Sequence, residues 1–212
     1  MNSAIRWRIV GLQAVMVVVL AGAAAFAYGL GSFTTSQVRD ELTAQQIYFP
    51  AADQVKSGGA LDPAKFSQEI RDQAGQQVTD GNQARIYAND FINVHLQGIA
   101  AGKTYSQVSS DLSALNAKIA ATPATDPGYA SLQAQATKLN GEKQTLFMGE
   151  TLRSNLLNAY GWWTIGVYTS YAAFGLMLAA LTVLGAMVFE FVVARRTQNV
   201  KVAQKKAISA TA

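Results

Sequence analysis

Two long stretches without a charged side chain lie near the ends of this 212-residue chain. No charge occurs between Arg8 and Arg39, and none occurs between Arg153 and Glu190. About 20 apolar residues cross a bilayer as a helix, so each stretch is long enough to span one. Only 14% of the residues are charged, against about 25% in an average soluble domain. This uneven distribution predicts two transmembrane helices rather than one apolar globule.

The first predicted span covers residues 9–33 and follows the basic residues Arg6 and Arg8. A cleaved signal peptide is the rival interpretation, because the start is basic and Ala25-Phe26-Ala27 resembles a cleavage site. The apolar run is longer than the core of about 7–15 residues found in signal peptides. Its length favours a retained anchor, and both interpretations remain open from the sequence.

The second predicted span covers residues 161–194. Trp162 and Trp163 stand at its outer end, where aromatic side chains favour the interface between membrane and water. Arg195 and Arg196 close its inner end. Together with the first span, it predicts a multi-pass protein of the cell (plasma) membrane, with the lipid bilayer as its main surroundings.

The charges that flank the spans predict the topology. The tails, residues 1–8 and 195–212, carry basic side chains and no acidic one, and short basic tails stay in the cytoplasm. Residues 34–160 would then form a domain outside the cytoplasm. The formal net charge of +4 reflects the tails, so no nucleic-acid partner is expected.

The central segment shows helical signals throughout, so the predicted fold class is all-α, with two transmembrane helices bracketing an extracytoplasmic helical domain. The first helix is expected to continue outward until Pro50 ends it. Asp62, Asp80 and Thr104 are expected to begin further helices. The last helix is expected to run into the second span, with Gly141 as a possible interruption. Signals for β-strands are weak.

Small residues repeat every four positions within both spans. They are Ala23, Ala27 and Gly31 in the first span, and Gly175 and Ala179 in the second. Such faces allow helices to approach closely. They are compatible with pairing of the two spans, with a homo-oligomer and with a membrane-protein partner.

Signals for catalysis are absent from the sequence. It contains no cysteine and neither a nucleotide-binding glycine loop nor a nucleophile elbow. Its one histidine, His95, could be an acid–base residue or ligand, or a helix-face residue bonded to the neighbouring turn. Glu190 lies close enough to Arg195 and Arg196 to pair at the inner interface. We therefore predict no catalytic, cofactor-binding or metal-binding residue, and no enzymatic activity.

Three segments carry a resemblance to a known group of proteins. They read QQIYFPAA (residues 45–52), NQARIYANDFINVHLQGIAAGKTYSQVS (82–109) and KQTLFMGETLRSNLLNAYGWWTIG (143–166). Together they resemble actinobacterial two-span membrane proteins without an established role. Members often carry the label "aromatic ring-opening dioxygenase", which implies iron held by two histidines and a carboxylate. A chain with one histidine cannot supply that site, so we reject the label here.

The resemblance directs attention to the polar and aromatic side chains of its second and third segments. We predict that they form a recognition surface or a polar core: Tyr87, Asn89, Asp90, His95, Lys103, Thr104, Tyr105, Glu150 and Arg153. The expected function is a non-enzymatic interaction or assembly protein of the cell envelope that acts through its external domain. The alternative is a sensor or ligand-binding domain that signals through a partner.

Overall fold

The structure, a computed structural model, describes the backbone of residues 3–211 and, among these, the side chains of residues 4–200 and 202–203. Its elements are α1 (Ser3–Ala44), a 3-10 turn (Ala52–Gln54), α2 (Gln68–Arg71), α3 (Gly81–Ile86), a π-helix (Tyr87–Ile92), α4 (Asn93–Gln97), a second 3-10 turn (Ile99–Gly102), α5 (Tyr105–Ala121) and α6 (Tyr129–Thr211). One isolated bridge joins Tyr48 to Gln77, and residues 3–211 contain no strand. The all-α prediction is confirmed.

Two of these helices are long and apolar enough to cross a membrane, Ala4–Ala44 and Tyr129–Val200. Only 11% and 6% of their most apolar stretches are buried, whereas a helix that is hydrophobic on all sides in a soluble protein lies in its core. The chain divides into two compact units. The first contains residues 1–34 and 165–212, and the second contains residues 35–164.

In the first unit, α1 and α6 run antiparallel and pack along a seam of small residues. The buried small residues of this seam are Ala24, Gly31, Gly166, Ala173, Ala180 and Ala194. Within each helix their positions differ by seven residues or by a multiple of seven. A seven-residue repeat keeps one face of each helix in contact at a small crossing angle.

This seam differs from the four-residue repeats expected from the sequence. Ala23 and Ala179 are exposed, and a β-carbon on Gly175 would have no neighbour within 4 Å. Of the five predicted residues only Gly31 is buried. A four-residue repeat drifts around the helix by about 40° at each step, whereas a seven-residue repeat almost returns to its starting direction. Helices that pack nearly in line therefore use the longer repeat.

An ion pair and an edge-to-face contact between two rings join α1 and α6 at the end of the seam near Arg6 and Glu190. Nη1 of Arg6 lies 3.1 Å from Oε2 of Glu190, and the ring of Trp7 meets Phe191 edge to face at 5.7 Å. Arg195 lies over the Phe191 ring, 5.1 Å from its centre. Glu190 thus pairs with Arg6, whereas Arg195 contacts the aromatic ring.

The second unit has a core built partly from loop residues. Phe49, Leu61, Val78 and their neighbours form one buried cluster with α2, α3 and Leu156 of α6. Backbone hydrogen bonds hold the loop in place: the Phe49 N–H donates to the Gln76 carbonyl at 2.9 Å. Single apolar side chains from turns therefore supply much of the core of this region, which contains only short helices.

Asp62 shows why the expected helix there does not form. Its carboxylate accepts hydrogen bonds from the N–H groups of Gly58 at 2.8 Å and Ala64 at 2.9 Å. These two bonds close a turn on both sides of the aspartate and hold its pKa below the usual range. The helix that follows is only the four-residue α2. Upstream, α1 already ends at Ala44, well before Pro50.

The remaining helix boundaries follow the sequence signals. The Asp80 carboxylate caps α3 by accepting from the Gln83 N–H at 2.9 Å. Gly102, with φ +78°, terminates the second 3-10 turn. Thr104 begins α5 with a reciprocal capping box that involves Gln107. The predicted continuity of the last helix with the second span is confirmed, and Gly141 does not interrupt it.

Candidate recognition surface

The nine predicted recognition residues all lie in the second unit, and they fall into three groups. Asn89, Glu150 and Arg153 form one polar network. Tyr87, Asp90 and His95 lie on the π-helix and on α4. Lys103, Thr104 and Tyr105 lie at the start of α5.

Arg153 connects the π-helix to α6. Its Nη2 donates to Oδ1 of Asn89 at 3.2 Å, and its Nη1 donates to Oε2 of Glu150 at 3.3 Å. One turn earlier, Gly149 lies against the side chain of Leu96. A glycine at this position allows α4 to approach α6 closely. Asn89 therefore links the π-helix to α6 through Arg153, whose buried Nε has no hydrogen-bond partner among the described residues.

Tyr87 and His95 belong to an aromatic row. Successive ring centres lie 5.2 Å apart for Phe49 and Tyr87, 5.0 Å for Tyr87 and Phe91, and 4.4 Å for Phe91 and His95. Burial raises the pKa of the Tyr87 hydroxyl. The row ties the π-helix to the loop of residues 45–80, so Tyr87 acts in packing.

His95 is an exposed residue at the end of this row. Its Nδ1 lies 2.8 Å from the carbonyl oxygen of Phe91, one turn earlier. A carbonyl can only accept, so Nδ1 carries the hydrogen and Nε2 is the free acceptor. Of the two interpretations of His95, the structure matches the helix-face residue bonded to the neighbouring turn. No group of three or more His, Cys, Asp or Glu side chains suited to a metal occurs among the described residues.

Asp90 lies among charges from two other elements. Arg85 forms an ion pair with Glu69, and both side chains act on Asp90. Burial raises the pKa of the Asp90 carboxyl, the negative charge of Glu69 raises it further, and Arg85 opposes both effects. Asp90 is therefore the predicted recognition residue whose charge is least favourable in the folded state.

All three residues of the third group lie at the surface, where two of them form structural contacts. Nζ of Lys103 pairs with Oδ2 of Asp111 at 2.6 Å, and Thr104 caps α5. Tyr105 is exposed, and its ring lies 5.9 Å from the ring of Phe147 on α6. Beside this contact lies a pocket that was not predicted from the sequence.

An open pocket of about 280 Å³ lies beside Tyr105. Its other lining residues are Lys143, Gln144, Phe147 and Met148 of α6. The sequence alone carries only part of the signal for it. Leu146, Phe147 and Met148 are consecutive, and successive helical residues point about 100° apart. Because Leu146 is buried in the core, Phe147 and Met148 have to point away from it.

The pocket opens onto an exposed apolar patch on α6. Phe147, Met148 and Leu152 are 59%, 58% and 56% exposed. They belong to the second unit and precede the uncharged stretch that follows Arg153. Soluble surfaces seldom keep such neighbouring apolar side chains uncovered without a binding role.

No family model matches the chain, and no curated protein or solved structure matches it either.

Function is therefore inferred from the site itself. The described surface offers an apolar patch, an adjoining pocket with one ammonium group, and a histidine with one free ring nitrogen. The patch and the pocket are suited to binding through apolar contact with one charged interaction.

Proposed function

We propose that this chain is a two-span integral protein of the cell membrane whose external helical domain binds another protein of the envelope. The single observation that carries the interaction is the exposed patch of Phe147, Met148 and Leu152. The two spans would anchor the domain in the membrane. The domain would act by binding, as an accessory or scaffold protein, and not by catalysis.

The membrane assignment is supported by the surface of the first unit. Its outward-facing side chains are large and apolar, for example Val18, Phe26 and Leu178. Water would make this surface costly, whereas lipid covers it without cost. The basic residues that precede the first span and follow the second favour cytoplasmic termini, and hence an external second unit.

The seam also supports a retained first helix. Cleavage after Ala27 would remove Arg6 from Glu190 and Ala24 from the seam. An acidic side chain without a partner would then remain in the inner part of the second span, which is expensive in a bilayer. The helix is therefore better interpreted as an anchor than as a signal peptide.

A labelling experiment tests the topology. The chain has no cysteine, so single cysteines at Lys118 and Gln198 provide unique sites. A membrane-impermeant maleimide applied to intact cells is expected to label position 118 and to label position 198 only after lysis. The reverse pattern would contradict the proposed orientation.

A crosslinking experiment tests the interaction. A photo-reactive phenylalanine analogue at Leu152 is expected to give a discrete crosslinked product in native membranes. The same analogue at Gln133, an exposed polar position on the same helix, serves as the control. The interaction is contradicted if both positions give no product or the same diffuse background.

A second candidate function is a ligand-binding domain, and the pocket beside Tyr105 favours it. The pocket shares Phe147 and Met148 with the patch. A ligand there could change how the patch meets a partner. The two functions are separated experimentally at Leu152, which lies only in the patch, and at Lys143, which lies only in the pocket.

A further inference from the structure

We infer that the pocket lined by Tyr105, Lys143 and Phe147 binds a small organic anion with a flat aromatic body, such as an aryl carboxylate. The inference rests on the second candidate function and specifies its ligand class. Three features of the pocket carry it: an ammonium group outside the ion pairs of the described side chains, an aromatic wall, and a position on α6 fifteen residues before Trp162.

Lys143 supplies the positive charge. Its side chain is half-buried, and it takes part in none of the ion pairs found among the described side chains. Nearby lysines differ: Lys138 pairs with Glu142 at 3.7 Å, and Lys103 pairs with Asp111. A lysine ammonium binds best to an anion that also accepts hydrogen bonds. The neighbouring Gln144 amide is a further possible donor to a carboxylate.

The other side chains of the pocket form an apolar wall. The rings of Tyr105 and Phe147 meet at 48° with centres 5.9 Å apart, so they form a wedge rather than a closed stack. A flat ring can pack against either face of this wedge. Met148 adds a flexible thioether that adapts to the ligand's outline. The volume of about 280 Å³ is at the small end of ligand pockets, which suits one or two rings.

The position of the pocket indicates a ligand that arrives from water. Phe147 precedes Trp162 by fifteen residues on one continuous helix. At about 1.5 Å per residue this places the pocket about 22 Å along the helix axis from the expected interfacial tryptophan. A membrane lipid would have to leave the bilayer to reach Lys143. A soluble aromatic anion reaches it directly.

Calorimetric titration of the full chain in phosphatidylcholine nanodiscs tests the inference. The probes are 2-naphthoate and its neutral isostere 2-naphthamide, and empty nanodiscs give the background from lipid partitioning. We expect naphthoate to bind more tightly than naphthamide. Lys143→Gln should weaken naphthoate about tenfold, the value of one charge-assisted hydrogen bond, and should leave naphthamide unchanged. Lys138→Gln is the matched control and should change neither affinity.

Phe147→Ala should weaken both probes, since it removes one side of the wedge, and an unchanged melting temperature shows that each variant is folded. Equal binding of the two probes, insensitive to Lys143→Gln, overturns the anionic ligand and leaves a ligand-binding domain standing. If both probes give no more heat with the protein than with empty nanodiscs, the ligand-binding function itself is overturned. The interaction through Leu152 is tested separately by crosslinking.

Discussion

Gly31 of α1 lies directly against Gly166 of α6: a β-carbon at position 31 would be 2.6 Å from the Gly166 carbonyl oxygen and 3.0 Å from the Ser170 nitrogen. Both neighbours are backbone atoms of a regular helix, so they cannot rotate away as a side chain would. The two apolar helices therefore approach closely at a point where both carry glycine. This is the packing mode by which helices associate in lipid, where apolar contact alone gives no net driving force.

Gly31→Ala is expected to weaken the pairing of the two spans by about 1–3 kcal/mol, the usual cost of overpacking. Gly29→Ala is the matched control, because a β-carbon there would have no neighbour within 4 Å. Energy transfer between dyes on cysteines at positions 8 and 198 measures the pairing during detergent titration. The close approach is refuted if α1 and α6 separate in both variants at the same detergent concentration as in the wild type.

Two glycines of α6 are expected to respond to alanine with opposite signs. A β-carbon on Gly149 would lie 3.1 Å from Cγ of Leu96 and closer still to one of its methyl groups. Gly149→Ala should destabilise the second unit by about 1–3 kcal/mol. Gly141 has no neighbour within 4 Å, so Gly141→Ala should stabilise it by about 0.5–1 kcal/mol through helix propensity. Thermal unfolding in detergent measures the stability change of each variant. A stabilising Gly149→Ala would contradict the close packing of α4 on α6.

Asp90 is expected to make stability depend on pH. Its pKa is raised by burial and by Glu69, so the folded state holds the proton to a higher pH than the unfolded state does. Its contribution to stability therefore falls as pH rises from the usual carboxyl pKa through the raised one. Asp90→Asn removes this loss and should be more stable than wild type at pH 7, with the difference shrinking towards pH 4. A variant that is less stable at pH 7 would show that the Asp90 charge is favourable.

The caps and the spans could be predicted because they depend on neighbouring residues. Asp80 and Thr104 each bond a backbone N–H three residues later, and the two spans depend on unbroken apolar stretches. The loop of residues 45–80 could not be predicted in this way. Its folding depends on pairs such as Phe49 with Gln76 and Ile47 with Val78, which lie far apart in the chain and leave no periodic pattern.

The candidate site likewise contains features that could be predicted from the sequence and features that could not. The polar residues chosen from the sequence, such as Asn89 and Arg153, proved to bond one another, because polar groups placed between elements find partners there. The pocket is instead lined by Phe147 and Met148, which resemble core residues in composition. Only the orientation of the helix, fixed by Leu146 in the core, places them at the surface.

Arg6 and Glu190 are expected to stabilise the first unit as a coupled pair. Their side chains are 21% and 23% exposed, so removing either one leaves the other largely desolvated and unpaired. Arg6→Gln and Glu190→Gln should each weaken the pairing of α1 and α6 by about 1–3 kcal/mol, the cost of an unmet polar partner. The double variant should lose clearly less than the two losses added together, because no unpaired charge remains in it. Arg8→Gln, at an exposed position two residues later, controls for the lost basic charge. Energy transfer between cysteine-linked dyes at positions 4 and 198 measures the loss of pairing in each variant. Strictly additive losses would show that the two side chains contribute independently, and that the contact of 3.1 Å does not hold the helices together.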